Sequence, residues 1–213
     1  MRSTLAEIGY DKPTPVQAGL IPLVLEGHDV IGQSRTGTGK TASFSIPIIE
    51  QIETQDGPVK PQALILTPTR ELAVQVENEF RRLVGKRNIR CCCIYGGRPI
   101  KQQINRLKAG CDVVVGTPGR IIDHLQRRTL VVHDVWFIVL DEADRMLDIG
   151  FRSDIERILR QCPDDRQTLL LSATLPPPIV QLAKRYMYRP KACLLYTSPS
   201  PRDLSTSRMP SSA

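Results

Sequence analysis

The sequence predicts an α/β domain of three layers, with helices on both faces of a mostly parallel central sheet. Short β-rich runs alternate with longer helical stretches from about residue 27 to 195. Nearly all of those runs are apolar at consecutive positions, the pattern of a strand whose two faces are both covered. The length of 213 residues suits one well-filled core and is short for two.

The candidate strands are 29–33, 62–67, 89–95, 111–116, 135–141 and 167–173, with a further short one at 191–196. Between them lie stretches such as "TRELAVQVENEFRRLVGK", where Leu72, Val76, Phe80 and Leu83 recur at helical spacing. Strands alternating with helices imply βαβ units. Trp136 and Phe137 are expected in the core of the central strand, His124 and His133 as surface or packing residues, and "RRTLVVHD" as a solvated connection. The final segment, "TSPSPRDLSTSRMPSSA", has no hydrophobic periodicity and is expected to be disordered, as foreign sequence or as a natural tail.

Composition excludes several classes. No apolar stretch approaches the ~20 residues that cross a bilayer, and the N-terminus lacks the apolar centre of a secretory signal. A cytoplasmic monomer without a membrane partner is the expectation. The net charge of +7 favours a polyanionic partner, an argument that is weak alone. Cys91, Cys92 and Cys93 are consecutive and no C-x-x-C pair exists, so the six cysteines read as small buried hydrophobes rather than as a disulfide framework or metal site.

Chemistry concentrates at strand ends. "DVIGQSRTGTGKT" places a Gly-containing loop after the first strand and before a helical stretch. Backbone N–H groups there can surround phosphate oxygens, at a helix end that favours negative charge. Ser34, Arg35, Thr36, Gly37, Thr38 and Gly39 would form the cradle, Lys40 would reach the terminal phosphates, and Thr41 would ligate Mg²⁺. The strict P-loop pattern wants Gly where Ser34 stands, and the competing reading is a Gly-rich turn that caps a helix. A second strand, "VWFIVLDEAD", ends on acids. Asp141 suits the Mg²⁺ of a bound triphosphate, Glu142 the attacking water, and Asp144 a bond to a neighbouring strand end. Lys40 and Asp141 are expected to converge across neighbouring strand tips. The alternative is an acidic first turn that complements the helix dipole.

The literal D-E-A-D at 141–144 resembles the signature of the DEAD-box RNA helicases, and the similarity runs from about Ile8 to Arg189. "GYDKPTPVQ" (9–17) resembles that family's Q motif, which implies that Gln17 reads adenine and Tyr10 packs near the base. "SRTGTGKT" (34–41) is similar to its phosphate loop. "PTREL", "GG" and "TPGR" look like its RNA-contacting motifs, implicating Pro68, Thr69, Arg70, Gly96, Gly97, Thr117, Pro118, Gly119 and Arg120. "SAT" resembles the motif that links nucleotide state to RNA, implicating Ser172 and Thr174 together with Asp144. The resemblance implies a P-loop NTPase fold of RecA-like type, ATP and Mg²⁺ as cofactors, and RNA as partner. It divides the chain into a Q-motif entry segment (1–18), a RecA-like ATP-binding domain (19–195) and the tail (196–213).

Physically, each T-P turn offers a Thr cap, a Pro as helix starter and an Arg, which suits sequence-nonspecific contact with a sugar-phosphate backbone. Aromatic residues make up only 5%, too few for a stacking platform. Family members carry a second RecA-like domain whose arginines stabilise the transition state, and lacking it costs ~10³–10⁵ in turnover. This chain is therefore expected to be a nearly inactive first half. Two rivals stay open, a binding module without turnover and a DNA-directed helicase with a related core.

Overall fold

The computed structural model describes residues 2–34, 37–53 and 59–194. Helices α1 (Arg2–Glu7) and α2 (Pro15–Leu25) precede β1 (Val30–Gln33), α3 (Lys40–Gln51) and β2 (Ala63–Leu66). The alternation continues through α4 (Arg70–Val84), β3 (Cys91–Ile94), α5 (Ile100–Lys108), β4 (Val113–Gly116), α6 (Pro118–Gln126) and β5 (Phe137–Leu140). It closes with α7 (Ala143–Asp148), α8 (Arg152–Leu159), β6 (Gln167–Ser172), α9 (Pro177–Tyr186) and β7 (Lys191–Leu194). Arg35, Thr36 and the tail from residue 195 lie outside the described residues.

The strands form one sheet in the order β3-β4-β2-β5-β6-β1-β7, and every pairing is parallel. The mostly parallel sheet expected from the sequence is parallel at every one of these pairings, because each strand-to-strand connection carries a helix over the sheet. Strand residues alternate between two cores. Ala63, Ile65, Val113, Val115, Val139 and Leu169 face α2, α3 and α4, where Leu20, Phe44, Ile48, Val76 and Phe80 are fully buried. Leu64, Leu66, Val114, Ile138 and Leu170 face α6 to α9, against Ile121, Met146, Ile155 and Ile179. Covering both faces is why the strands read as unbroken apolar runs.

Several expectations need correction. Trp136 precedes β5 and is half-buried, edge-on to the buried Phe137 with ring centroids 5.5 Å apart. Residues 127–134 are not simply solvated, because Leu130 and Val132 insert into the second core. The two histidines are as expected, His124 a packing residue fully buried between Thr129 and Gln103 at 2.8 and 3.2 Å, and His133 an exposed surface residue. On α4, Ala73 takes the core position and Leu72 is half-exposed, since 3.6 residues per turn rotate Leu72 away from the Val76–Phe80 face. A division after residue 18 would cut α2, which packs on α3 as part of the domain.

Candidate functional site

The C-terminal ends of β1, β2, β4, β5 and β6 share one edge of the sheet, and the sequence motifs follow from them. At β1, Gly39 adopts a left-handed conformation (φ 89°) and hands the chain to α3 at Lys40. Its lack of a side chain is needed twice, since a Cβ there would lie 2.7 Å from Gln17 Nε2. The Lys40 ammonium is buried and donates to the Ser34 carbonyl at 3.1 Å. Ser34, the residue that departs from the strict loop pattern, is buried and lies 3.4 Å from the Thr38 hydroxyl.

The Q-motif residues brace this loop. Thr14 and Gln17 form a reciprocal capping box at the start of α2, and the Gln17 amide oxygen accepts from the Thr14 N–H at 2.9 Å. Gln17 Nε2 donates to the Gly39 carbonyl at 3.3 Å, and the Thr14 hydroxyl donates to the Thr38 carbonyl at 3.0 Å. Gln17 is thus buried against the phosphate loop, with its amide engaged on both sides, rather than presented along the cavity wall.

That cavity, about 650 Å³, is lined by Gly37, Gly39, Lys40 and Thr41 from the loop and by Asp141 and Glu142 after β5. Lys40 and Asp141 therefore meet at one cavity, but not across adjacent strands, because β6 stands between β1 and β5. Asp141 is buried, and its Oδ1 has no hydrogen-bond partner among the described residues. Burial pushes its carboxyl up to about 6, a rise that nearby Lys40 opposes. Glu142 has a left-handed backbone (φ 52°), an uncommon state for a side chain with a Cβ, and pairs with Arg145 at 3.2 Å. A buried orphan carboxylate oxygen and the Thr41 hydroxyl, both hard donors, fit a Mg²⁺ that keeps most of its waters.

The third acid reaches the neighbouring strand. Asp144 Oδ2 accepts from the Thr174 N–H and hydroxyl at 2.9 and 2.8 Å, and the Asp144 N–H donates to the Ser172 hydroxyl at 3.2 Å. Partial burial raises the Asp144 carboxyl, but the bonds from Thr174 and Ser172 outweigh it and leave the group below its ordinary value. Gln33 at the end of β1 donates to the Ala173 carbonyl at 3.1 Å, so this segment is held from both sides.

The candidate RNA residues form a patch around Tyr95, just past β3. The Arg70 and Arg98 guanidinium groups lie 5.2 and 5.4 Å from the Tyr95 ring centre. Arg120 donates to the Arg98 carbonyl at 3.1 Å. Gly96 and Gly97 are exposed beside them, and a Cβ on Gly97 would come within 3.8 Å of Arg70. Thr69 caps α4 through its side chain, accepting from the Leu72 N–H at 3.2 Å. Thr117 occupies the same position on α6 without such a bond. Pro118 starts α6, whereas Pro68 lies before the Thr69 cap and is no helix starter. Both prolines are buried, so their rings offer nothing to a ligand, and Gly119 is half-buried facing Phe151. Of the turn residues Arg70 is exposed, Thr69, Thr117 and Gly119 are half-buried, and Arg120 keeps 15% of its side chain exposed while pairing with Asp123 at 3.4 Å.

Sequence reasoning missed Tyr95 and Arg98, although "YGGR" directly follows an apolar run. It also missed one wall of the cavity, built from the polar side of α4 by Glu71, Gln75, Asn78, Glu79 and Arg82. The signal was a polar stripe on the side away from Val76 and Phe80, flanked in the cavity wall by Leu72 and Val74, which otherwise reads as an ordinary solvated face.

A parallel sheet with a phosphate loop after β1 and paired acids after β5 defines a P-loop domain of RecA-like type. Residues 14–182 match the DEAD/DEAH box helicase family, and the chain belongs to it. The ATP-dependent RNA helicase CshA of Limosilactobacillus reuteri is 50% identical over 183 residues, which is 86% of this chain and 36% of that protein. The DEAD-box ATP-dependent RNA helicase CshA of Geobacillus kaustophilus is 51% identical over 187 residues, 88% of this chain and 40% of its own. A crystal structure of a DEAD box protein from Methanococcus jannaschii superposes with a TM-score of 0.85 at 46% identity, over 90% of this chain and 52% of that one. A hypothetical ATP-dependent RNA helicase from Sulfolobus tokodaii gives 0.84 at 35% identity, over 91% and 56%. The chain thus spans little more than a third of these curated relatives.

Proposed function

We propose that this chain is the ATP-binding part of an ATP-dependent RNA helicase. It binds ATP with Mg²⁺ in the cavity and the RNA backbone along the Tyr95 patch, with hydrolysis coupled to unwinding when a second RecA-like domain closes over both. The observation that carries this reading is the meeting of Lys40, Thr41, the orphan oxygen of Asp141 and Glu142 at one cavity.

The N–H groups from Gly37 to Thr41 and the start of α3 bind phosphate oxygens, and Lys40 leaves its Ser34 tether to meet the terminal phosphates. Thr41 and Asp141 would hold Mg²⁺, which supplies charge neutralisation for phosphoryl transfer. Glu142 orients water and accepts its proton as the oxygen attacks the terminal phosphorus and ADP leaves. Tyr10 flanks the base, and Gln17 supports the loop from behind. Asp144, Ser172 and Thr174 transmit the state of that site to the RNA side.

On the RNA side, Arg70, Arg120 and the exposed glycines contact phosphates without reading bases. The same reading makes the chain a cytoplasmic monomer. Among the described residues no helix is long and apolar enough to cross a membrane.

Calorimetric titration with ATP tests the reading. Binding should require Mg²⁺ and disappear in Lys40→Ala and Asp141→Ala variants that remain folded. Equal ATP affinity in those variants would overturn it.

A further inference from the structure

Tyr10 does not stand in the cavity unsupported. Its hydroxyl donates to Glu79 Oε1 at 2.5 Å, and the Arg82 guanidinium lies 6.0 Å from its ring centre. Arg82 also reaches Glu79 Oε2 at 3.8 Å, and its Nη2 donates to the Ile8 carbonyl at 2.8 Å. Tyr10, Glu79 and Arg82 all line the cavity. Two residues one helical turn apart on α4 therefore grip the backbone at Ile8 and the ring at Tyr10.

We propose that Glu79 and Arg82 are positioning residues that fix Tyr10 as one wall of the base subsite for an adenine nucleotide. The inference rests on the nucleotide-binding reading above and adds to it the source of the aromatic wall's rigidity. An exposed i,i+3 ion pair by itself contributes little, and this pair gains its purpose from what it holds. Without Glu79 the phenol loses its acceptor and the ring can leave its rotamer. Binding would then carry the cost of reordering the ring. Burial, with Glu79 adding to it, pushes the Tyr10 phenol up to about 12, so the group stays a donor at any working pH.

The test compares Mg²⁺–ATP with inorganic tripolyphosphate, which has no base, by calorimetry on this chain. Glu79→Ala should weaken ATP roughly tenfold, about 1.4 kcal/mol, while tripolyphosphate stays within about twofold. Tyr10→Phe, which keeps the ring and removes the donor, should weaken ATP to a similar extent. It carries the test if Glu79→Ala fails to fold. Glu79→Gln, which retains an acceptor oxygen, should recover to within about threefold of the parent. Unchanged ATP affinity in Glu79→Ala and Tyr10→Phe overturns the proposal, as does parallel weakening of both ligands, which would mark general loosening. A parent chain that binds neither ligand overturns the nucleotide reading, and this inference with it.

Discussion

Asp144 accepts two hydrogen bonds from Thr174, tying the first turn after β5 to the segment after β6 at the edge where the phosphate loop also lies. Thr174→Ala removes the hydroxyl bond and keeps the N–H bond. It should lower stability by about 1 kcal/mol in urea unfolding. ATP affinity should be unchanged, because neither residue lines the cavity. A loss of ATP binding equal to that of Lys40→Ala would show the contact to be part of the nucleotide site itself.

Asp141 carries a cost at neutral pH. Its folded-state carboxyl titrates at about 6, above its ordinary value of 3.8, so the native state binds the extra proton between those limits. Stability attributable to this group therefore falls as pH rises from about 4 to 6, by roughly 2–3 kcal/mol at most. Asp141→Asn should raise the unfolding midpoint at pH 7.5 and abolish Mg²⁺-dependent ATP binding. On the proposed role of Asp141, Mg²⁺–ATP affinity of the parent chain should decline as pH drops through 6, because only an ionised carboxylate would hold the metal.

Gly39→Ala should destabilise the chain by about 1–2 kcal/mol from its left-handed backbone alone, measured by chemical denaturation. The added methyl would also press on Gln17. ATP binding should weaken because the loop and α2 are displaced together.

Arg70 and Arg120 should each account for about 0.7 of the slope of log K against log salt on single-stranded RNA. The double Arg70→Ala, Arg120→Ala variant should flatten that slope by about 1.4 and weaken all sequences alike. A change confined to particular sequences would point to base readout instead.

Much of the site was legible because its parts are local. A phosphate loop needs consecutive N–H groups after a strand, and the acids follow one short strand, so spacing along the chain reports spacing in the fold. The strands were legible too, trimmed by a residue or two at their ends. The wall from α4 was not. Glu79 and Arg82 meet Tyr10 across 69 and 72 positions of sequence, and a polar helix stripe looks the same whether it faces water or a cavity.

From the chain alone came the alternation of strands and helices, the order of the motifs and the choice of Lys40, Asp141 and Glu142 as candidate site residues, because these depend on residue type and near neighbours. Tertiary structure decided the rest: the strand order that puts β6 between β1 and β5, the loop-bracing placement of Gln17, the burial of Pro68 and Pro118, and the grip of α4 on Tyr10. Those outcomes depend on which distant surfaces exclude water together, and no short window of sequence encodes that.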